Sequence, residues 1–343
     1  MLEVDGAQKS GSGTILRLSL ALAGIVGEPL HIFNIRKKRG NPGLRPQHLE
    51  SVLTAAKICN ARVEGAGVGS EEIFFEPGKI EGGEIHAEIG TAGSIPMLIM
   101  TVLPLCVFAK RGVRLRISKG GTDVSHSPTI NYMKYVLLPV LGKMGLAAEI
   151  TVRKYGYYPK GMGEVLLEVQ PSKRLEPLSL ESFGRLTEIG GVSVCTFLAD
   201  RRVAERQAEA AESFLEARGY KSSVRVVNDF SNPVQKGSSI VLWVRSDSGV
   251  LLGGDAIGEL RKLSEVVGEE AAKNLVVEIE GGVTVDVHLG DMLVPYVALA
   301  GEGSAYLTRL LSGHLESNVW LVEEILGVKM GVSKMGKCYR ITR

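Results

Sequence analysis

The sequence predicts an α/β (α+β) protein in which a βαβαββ unit occurs three times to form one large domain, with a smaller α/β insert domain interrupting the third copy. Three observations predict it. The order strand, Gly-rich turn, apolar helix, strand opens the chain in "LEVDGAQKSGSGTILRLSLALAGIVGEPLHIFNIR" and returns in "EIHAEIGTAGSIPMLIMTVLPLCVFAKRGVRLRIS", and its opening recurs in "TVDVHLGDMLVPYVALAGEG". A second helix follows each copy, in "PQHLESVLTAAKICNARV", "SPTINYMKYVLLPVLGKMG" and "SGHLESNVWLVEEILGVKM". Between the second and third copies, residues 185–280 abandon the plan.

The elements follow in order. Apolar residues Leu49, Val52, Ala56 and Ile58 recur at helical spacing, and "VRLRIS" alternates as a strand does. Strand pairs are expected after the second helix, in "EEIFFEPGKIEGGEIHAEIG" and "GYYPKGMGEVLLEVQP". The run "SIPMLIMTVLPLCVFA" carries Pro96 and Pro104 and is too short to span a bilayer, so it reads as a core helix. Within 185–280, "IGGVSVCTFLADRRVAERQAEAAESFLEARGY" is a strand and a wet-faced helix. "SSVRVVNDF", "SSIVLWVRSD" and "GVLLGGDAIG" are strands, and "AIGELRKLSEVVGEEAAKNLVVEIEGG" supplies one or two helices. The expected domains are 1–184 with 281–343, and 185–280.

Composition narrows the function. With 40 Lys and Arg against 38 Asp and Glu, the net charge of +2 excludes a nonspecific polyanion binder, so any nucleic-acid site must be a local basic patch. Cys59, Cys106, Cys195 and Cys338 stand far apart, which predicts buried reduced thiols rather than a disulfide frame or zinc site. Met1 leads into strand-like sequence without a signal core, and a cytoplasmic protein with no membrane partner is expected.

Four stretches offer chemistry. In "NIRKKRGNPGLRPQHLE", Arg36, Lys37, Lys38, Arg39 and Arg45 lead into a helix N-terminus at Gln47 and His48, which suits a phosphate; a solvated basic loop is the competing reading. "DGAQKSGSGTILR" is a Gly-rich turn without the P-loop or dinucleotide pattern, equally readable as a tight connection. "KGGTDVSHSP" holds Lys119, Asp123, His126 and Pro128, and reads first as a polar turn. "VHLGDMLVPYVALAG" places His288 and Asp291 at a junction where ligands gather. The tetrapeptide HLES occurs at 48–51 and 314–317, so His48 and His314 are either copies of one helix-start device or members of one site.

These stretches are collinear with the motifs of a known family. DGAQ…G.G..LR at 5–17, "IRKKRGNPGLRPQHL" at 35–49, "IGTAGS" at 89–94, "KGGTD" at 119–123, "LGDMLVPYVALAGEG" at 289–303 and "SGHLESN" at 312–318 together resemble the RNA 3'-terminal phosphate cyclases. The resemblance implies a thioredoxin-like insert and an ATP-dependent enzyme that turns an RNA 3'-terminal phosphate into a 2',3'-cyclic phosphodiester through adenylyl-histidine and RNA-adenylate intermediates. It places the nucleophile at His314, nucleotide contacts at Pro128, His288, Leu289, Gly290, Asp291 and Met292, and phosphate contacts at Arg17, Arg36, Arg39 and Gln47. ATP is the implied co-substrate, Mg²⁺ or Mn²⁺ the implied divalent ion (its ligands unassigned), and a homodimer the implied assembly. Two departures stand out: Ser10 replaces a Glu, and Met100 a Gln, that the family carries there. Asp291 is the expected orienting partner of His314. The competing reading is a catalytically silent relative that binds or scaffolds in ribosomal RNA maturation.

Overall fold

The computed structural model describes residues 1–343, and three of its four sheets share one topology. In the first unit, β1 (Leu2–Asp5), α1 (Gly13–Val26), β2 (Leu30–Phe33), α2 (Pro46–Cys59), β3 (Arg62–Glu64) and β4 (Ile73–Glu76) form a sheet ordered β1-β2-β4-β3. β1 and β2 pair in parallel, which demands a crossover, and α1 supplies it. The second unit repeats this with β5 (Gly83–Glu88), α3 (Ile95–Val107) and β6 (Val113–Gly120). Its second helix has two α segments, α4 (Ile130–Tyr132) and α5 (Leu138–Lys143), joined by a π turn at Met133–Leu137. β7 (Ala147–Lys154) and β8 (Gly163–Gln170) complete the order β5-β6-β8-β7.

The third unit opens with β9 (Ser179–Leu180) and is then interrupted. β10 (Leu186–Thr196), α6 (Val203–Glu216), β11 (Ser223–Asp229), β12 (Gly237–Ser246), β13 (Leu251–Ile257) and α7 (Ser264–Glu280) make a sheet of their own, ordered β11-β10-β12-β13. The unit resumes with α8 (Val287–Ala300), β14 (Ala305–Thr308), α9 (Gly313–Leu326), β15 (Gly331–Met335) and β16 (Cys338–Thr342). Its sheet runs β9-β14-β16-β15, the same plan again.

Three expectations need correction. "TVDV" is not the opening strand of the third unit: Thr284 bridges that sheet through its side chain, donating to the Leu180 carbonyl at 2.6 Å and accepting the Leu307 N–H at 2.8 Å, while Asp286 caps α8. The strand is the two-residue β9, too short to show alternation. "EEIFFEPGKIEGGEIHAEIG" is not a pair either, because Pro77 ends β4 and β5 opens the next sheet; β4 pairs with β3 and β2. In "GYYPKGMGEVLLEVQP" only β8 is a strand, and its partners are β6 and β7.

One apolar cluster of 83 buried residues runs through all four sheets. α1 and α3 are buried along most of their length because they lie inside it, α1 turning Thr14 and Arg17 toward the candidate site. The Asp286 carboxylate joins three parts of the chain: it accepts the Tyr132 hydroxyl at 2.6 Å, the Gly253 N–H at 2.9 Å and the N–H groups of His288 and Leu289. No helix is long and apolar enough to cross a membrane. Cys59, Cys106 and Cys195 are buried free thiols, whereas Cys338 is half-exposed on β16.

Candidate active site

α9 is capped by Ser312, which has an extended backbone and whose side-chain oxygen accepts the Leu315 N–H at 2.9 Å; the hydroxyl donates in turn to Asp291 Oδ1 at 2.6 Å. This sets His314 in the first turn, where the N–H groups of Gly313 and His314 have no protein acceptor and face an incoming anion. His314 Nδ1 lies 3.1 Å from Thr14 Oγ1, which also accepts from Arg17 Nη2 at 3.0 Å. The first helix of the chain therefore orients the last. Asp291 does not touch the ring; it acts one step back, by holding the Ser312 cap.

The two HLES stretches share one device and differ in one frame. Ser51 donates to the Gln47 carbonyl at 2.8 Å and Ser317 to the Gly313 carbonyl at 2.6 Å, the same four-residue back-bond. In α2, however, Pro46 stands where Ser312 stands in α9, and the helix starts one residue earlier relative to the motif. His48 then sits three residues past its cap, and its Nδ1 accepts the Arg45 N–H at 3.3 Å. Burial first, then Arg17, Arg36 and Arg45, pushes its pKa down to about 3, so the ring is neutral with its proton on Nε2. Nε2 faces Gly13, where a Cβ would come within 2.6 Å of it and 2.8 Å of Arg17 Nη1. Only glycine admits both. His48 is a hydrogen-bond donor with no lone pair left for attack.

His314 is solvent-accessible, yet partial desolvation lowers its pKa, followed by the charges of Arg17, Arg39 and His288. It is neutral at neutral pH. Arg17 is the counterpart: it is 9% exposed, and no carboxylate pairs with it. Burial, then repulsion from Arg36 and Arg39, draws its pKa to about 10, leaving it charged. A buried guanidinium without a counter-ion demands an anionic ligand.

The basic run divides residue by residue. Arg36 Nη1 donates to the carbonyls of Asn41 and Gly43, both at 2.8 Å, and so holds its own turn. Lys37 pairs with Glu71, and Lys38 donates to the Lys9 carbonyl while its stem packs on Gly11, whose φ is +54°. Arg39 and Arg45 are exposed with no side-chain partner. Within this loop Arg36, Lys37 and Lys38 are held by the protein itself, and only Arg39 and Arg45 keep unpartnered guanidinium groups. Gln47 Oε1 accepts the Ser94 N–H at 2.7 Å and ties α2 to the start of α3.

On α8, His288, Asp291 and Met292 share the face toward α9, where Met292 and Pro295 line a small cavity with Thr14, Arg17, Met100 and Asn318. Leu289 turns into the core, and Gly290 packs on Thr308 with its carbonyl accepting from Tyr306 at 2.8 Å, so neither offers a side chain to the site. Burial pushes the Asp291 carboxyl up to about 6, against the Ser312 hydrogen bond and the charge of His288. Pro295 lacks the N–H that would bond the Asp291 carbonyl; Asn318 Nδ2 fills the gap at 2.8 Å. On the turn before Pro128, Asp123 is buried and bonded to Thr122 and Ile130, Lys119 pairs with Glu88, and His126 is exposed. Thr14 and Asn318 escaped the sequence reading. Their signal was helical spacing, Thr14 three before Arg17 and Asn318 four after His314.

Ser10 Oγ lies 3.0 Å from Ser12 Oγ and 2.9 Å from Ser317 Oγ, a neutral hydroxyl cluster beside α9. No three imidazole, carboxylate or thiolate groups converge as a metal cage. The chain's own side chains do not fit a protein-held divalent ion.

A neutral histidine at a helix N-terminus, a buried unpaired arginine beside it and a threefold βαβαββ body define an enzyme that handles phosphate groups. The comparisons agree. The family model described as RNA 3'-terminal phosphate cyclase matches residues 8–332. The chain is 42% identical over 342 residues to the RNA 3'-terminal phosphate cyclase of Pyrobaculum neutrophilum, covering 99% of this chain and 97% of that one. It is 43% identical over 341 residues to that of Pyrococcus furiosus, covering 98% of each. The chain belongs to the RNA 3'-terminal phosphate cyclase family.

Proposed function

We propose that this chain uses ATP to convert an RNA 3'-terminal phosphate into a 2',3'-cyclic phosphodiester, with His314 as nucleophile. The observation that carries the reading is the pairing of a neutral, oriented His314 with the counter-ion-free Arg17. With Nδ1–H donating to Thr14 Oγ1, the Nε2 lone pair is free to attack the α-phosphorus of ATP. The P–N bond forms, the bond to the bridging oxygen breaks, and pyrophosphate leaves with the electron pair. An RNA 3'-phosphate oxygen then displaces the imidazole, which leaves Nε2 free again. The 2'-hydroxyl finally attacks the phosphorus of the RNA 3'-terminal phosphate, losing its proton, and the bond from that phosphorus to the bridging oxygen breaks as AMP departs. Arg17, Arg39, the His48 Nε2–H and the free N–H groups of α9 are placed to hold phosphate oxygens as charge shifts. His288 offers an exposed ring at the nucleotide face of α8, with Pro128 proposed opposite it. In the same reading, 185–280 is an insert within a body formed by 1–184 and 281–343.

Incubation with α-labelled ATP should place acid-labile, base-stable label on the peptide containing His314. His314→Ala should abolish labelling while thermal unfolding stays unchanged, and His48→Ala should still take label. Label on a lysine, or labelling of His314→Ala, would refute the mechanism. A silent binding protein would take no label at all.

A further inference from the structure

A second cavity lies apart from the one lined by Thr14 and Arg17 near His314. It measures about 970 Å³ and opens between the loops following β6 and β7 and the sheet of β10 to β13. Its floor includes Asp123 and Ser125, on the turn that continues to Pro128, so the cavity adjoins the proposed nucleotide site. Pockets of roughly 300–1,000 Å³ take drug-sized ligands, so there is room for more than one nucleotide.

The lining is unlike that of a protein core. Arg201, Lys236 and Arg261 are exposed and carry neither an ion-pair nor a hydrogen-bond partner on their side chains. Lys262 is neutralised by Glu270. The opposing acids are Asp123, buried and already bonded to Thr122 and Ile130, and Glu259, which lies 3.5 Å from the Ser125 hydroxyl. At the rim Tyr158 is 77% exposed, an aromatic ring stacked on no other ring, and Leu260, also in the lining, is 93% exposed. Unpaired cations along a groove attract a phosphate backbone, and an exposed ring beside them gives a base a face on which to stack.

We propose that this cavity holds the single-stranded RNA segment lying immediately 5' of the terminal phosphate. The inference rests on the cyclase reading for its substrate. Tyr158 stacks on a base, while Arg201, Lys236 and Arg261 meet backbone phosphates. No side chain in this set reads a base edge in a fixed geometry, so the groove accepts any sequence.

The test uses Tyr158→Ala and the double variant Lys236→Glu, Arg261→Glu. All three positions are exposed, so the fold is not at risk. Two readouts are needed. Fluorescence anisotropy with a 3'-hydroxyl RNA of about ten nucleotides measures the groove without chemistry; each variant should weaken binding roughly tenfold, with a shallower salt dependence for the charge-reversed protein. Turnover should show a matching rise in KM for a 3'-phosphorylated RNA of that length. KM for a 3'-phosphorylated dinucleotide and labelling by ATP should not move. Unchanged anisotropy in both variants would overturn the proposal. If wild-type protein takes no label from ATP, the cyclase reading fails instead, and the anisotropy still decides whether the groove binds RNA.

Discussion

Thr14 serves two partners through one oxygen, and this makes it the most informative single residue near His314. It accepts from Arg17 and lies against His314 Nδ1, so it sets both the tautomer and the angle of the ring proposed as nucleophile. Thr14→Val keeps the shape and removes the hydroxyl. Labelling by ATP should slow by about 10–100-fold, as misplacement of a reacting group does, while Thr14→Ser restores it and thermal stability barely changes in either. Asp291 supports a second prediction, about pH. Its carboxyl ionises near 3.8 unfolded and about 6 folded. A group with a raised acid pKa favours the fold while protonated, so its contribution is greatest below the unfolded value and declines as pH rises to about 6. Asp291→Asn should therefore flatten the stability profile across that window and raise Tm above it, on the order of 1–3 kcal/mol for a shift of this size. Activity should fall, since an amide holds the Ser312 cap with less charge. Thermal melts at a series of pH values measure the first part, and an unchanged profile would show that Asp291 is not the titrating group.

At the scale of elements, helices and their faces were legible and strand ends were not. α1, α3 and the helix begun by each HLES stand where the apolar periodicity put them, because a helix shows a long, repetitive signal. β9 has two residues and shows none. The frame of α2 against α9 was also hidden: Pro46 in place of a capping serine moves the helix start by one residue, and only the hydrogen bond from Arg45 reveals what that does to His48. The α8–α9 contact supplies a third prediction. Asn318→Ala removes the donor to the Asp291 carbonyl and leaves a buried acceptor unpaired, which costs about 1–3 kcal/mol. Pro295→Ala in that background returns a backbone N–H to the same carbonyl. The double variant should recover much of the loss in urea unfolding, and strict additivity of the two changes would disprove the link.

For the whole molecule, the threefold plan was readable because each copy keeps its order of elements, and the candidate site was readable only as separate motifs along the chain. What stayed hidden was convergence: Thr14 and the Ser10 cluster become neighbours of α9 only when the first and third units meet. The shared core bears on cooperativity. Gly253 of the inserted sheet donates to Asp286, and a Cβ there would come within 2.5 Å of Tyr132, so the insert is seated against the second and third units with no slack. Calorimetry should accordingly record one cooperative transition whose calorimetric and van't Hoff enthalpies agree; two resolved peaks would mean that the insert melts by itself. The Thr14–His314 contact, spanning 300 residues of chain, also carries a meaning in time. Thr14 is synthesised well before His314, and an ordered histidine exists only after a loop of that length has closed. A chain whose first and third units have not yet met thus holds Arg17 and the Gly-rich turn with no oriented His314 beside them, and the order of the site is set by long-range closure rather than by either helix alone.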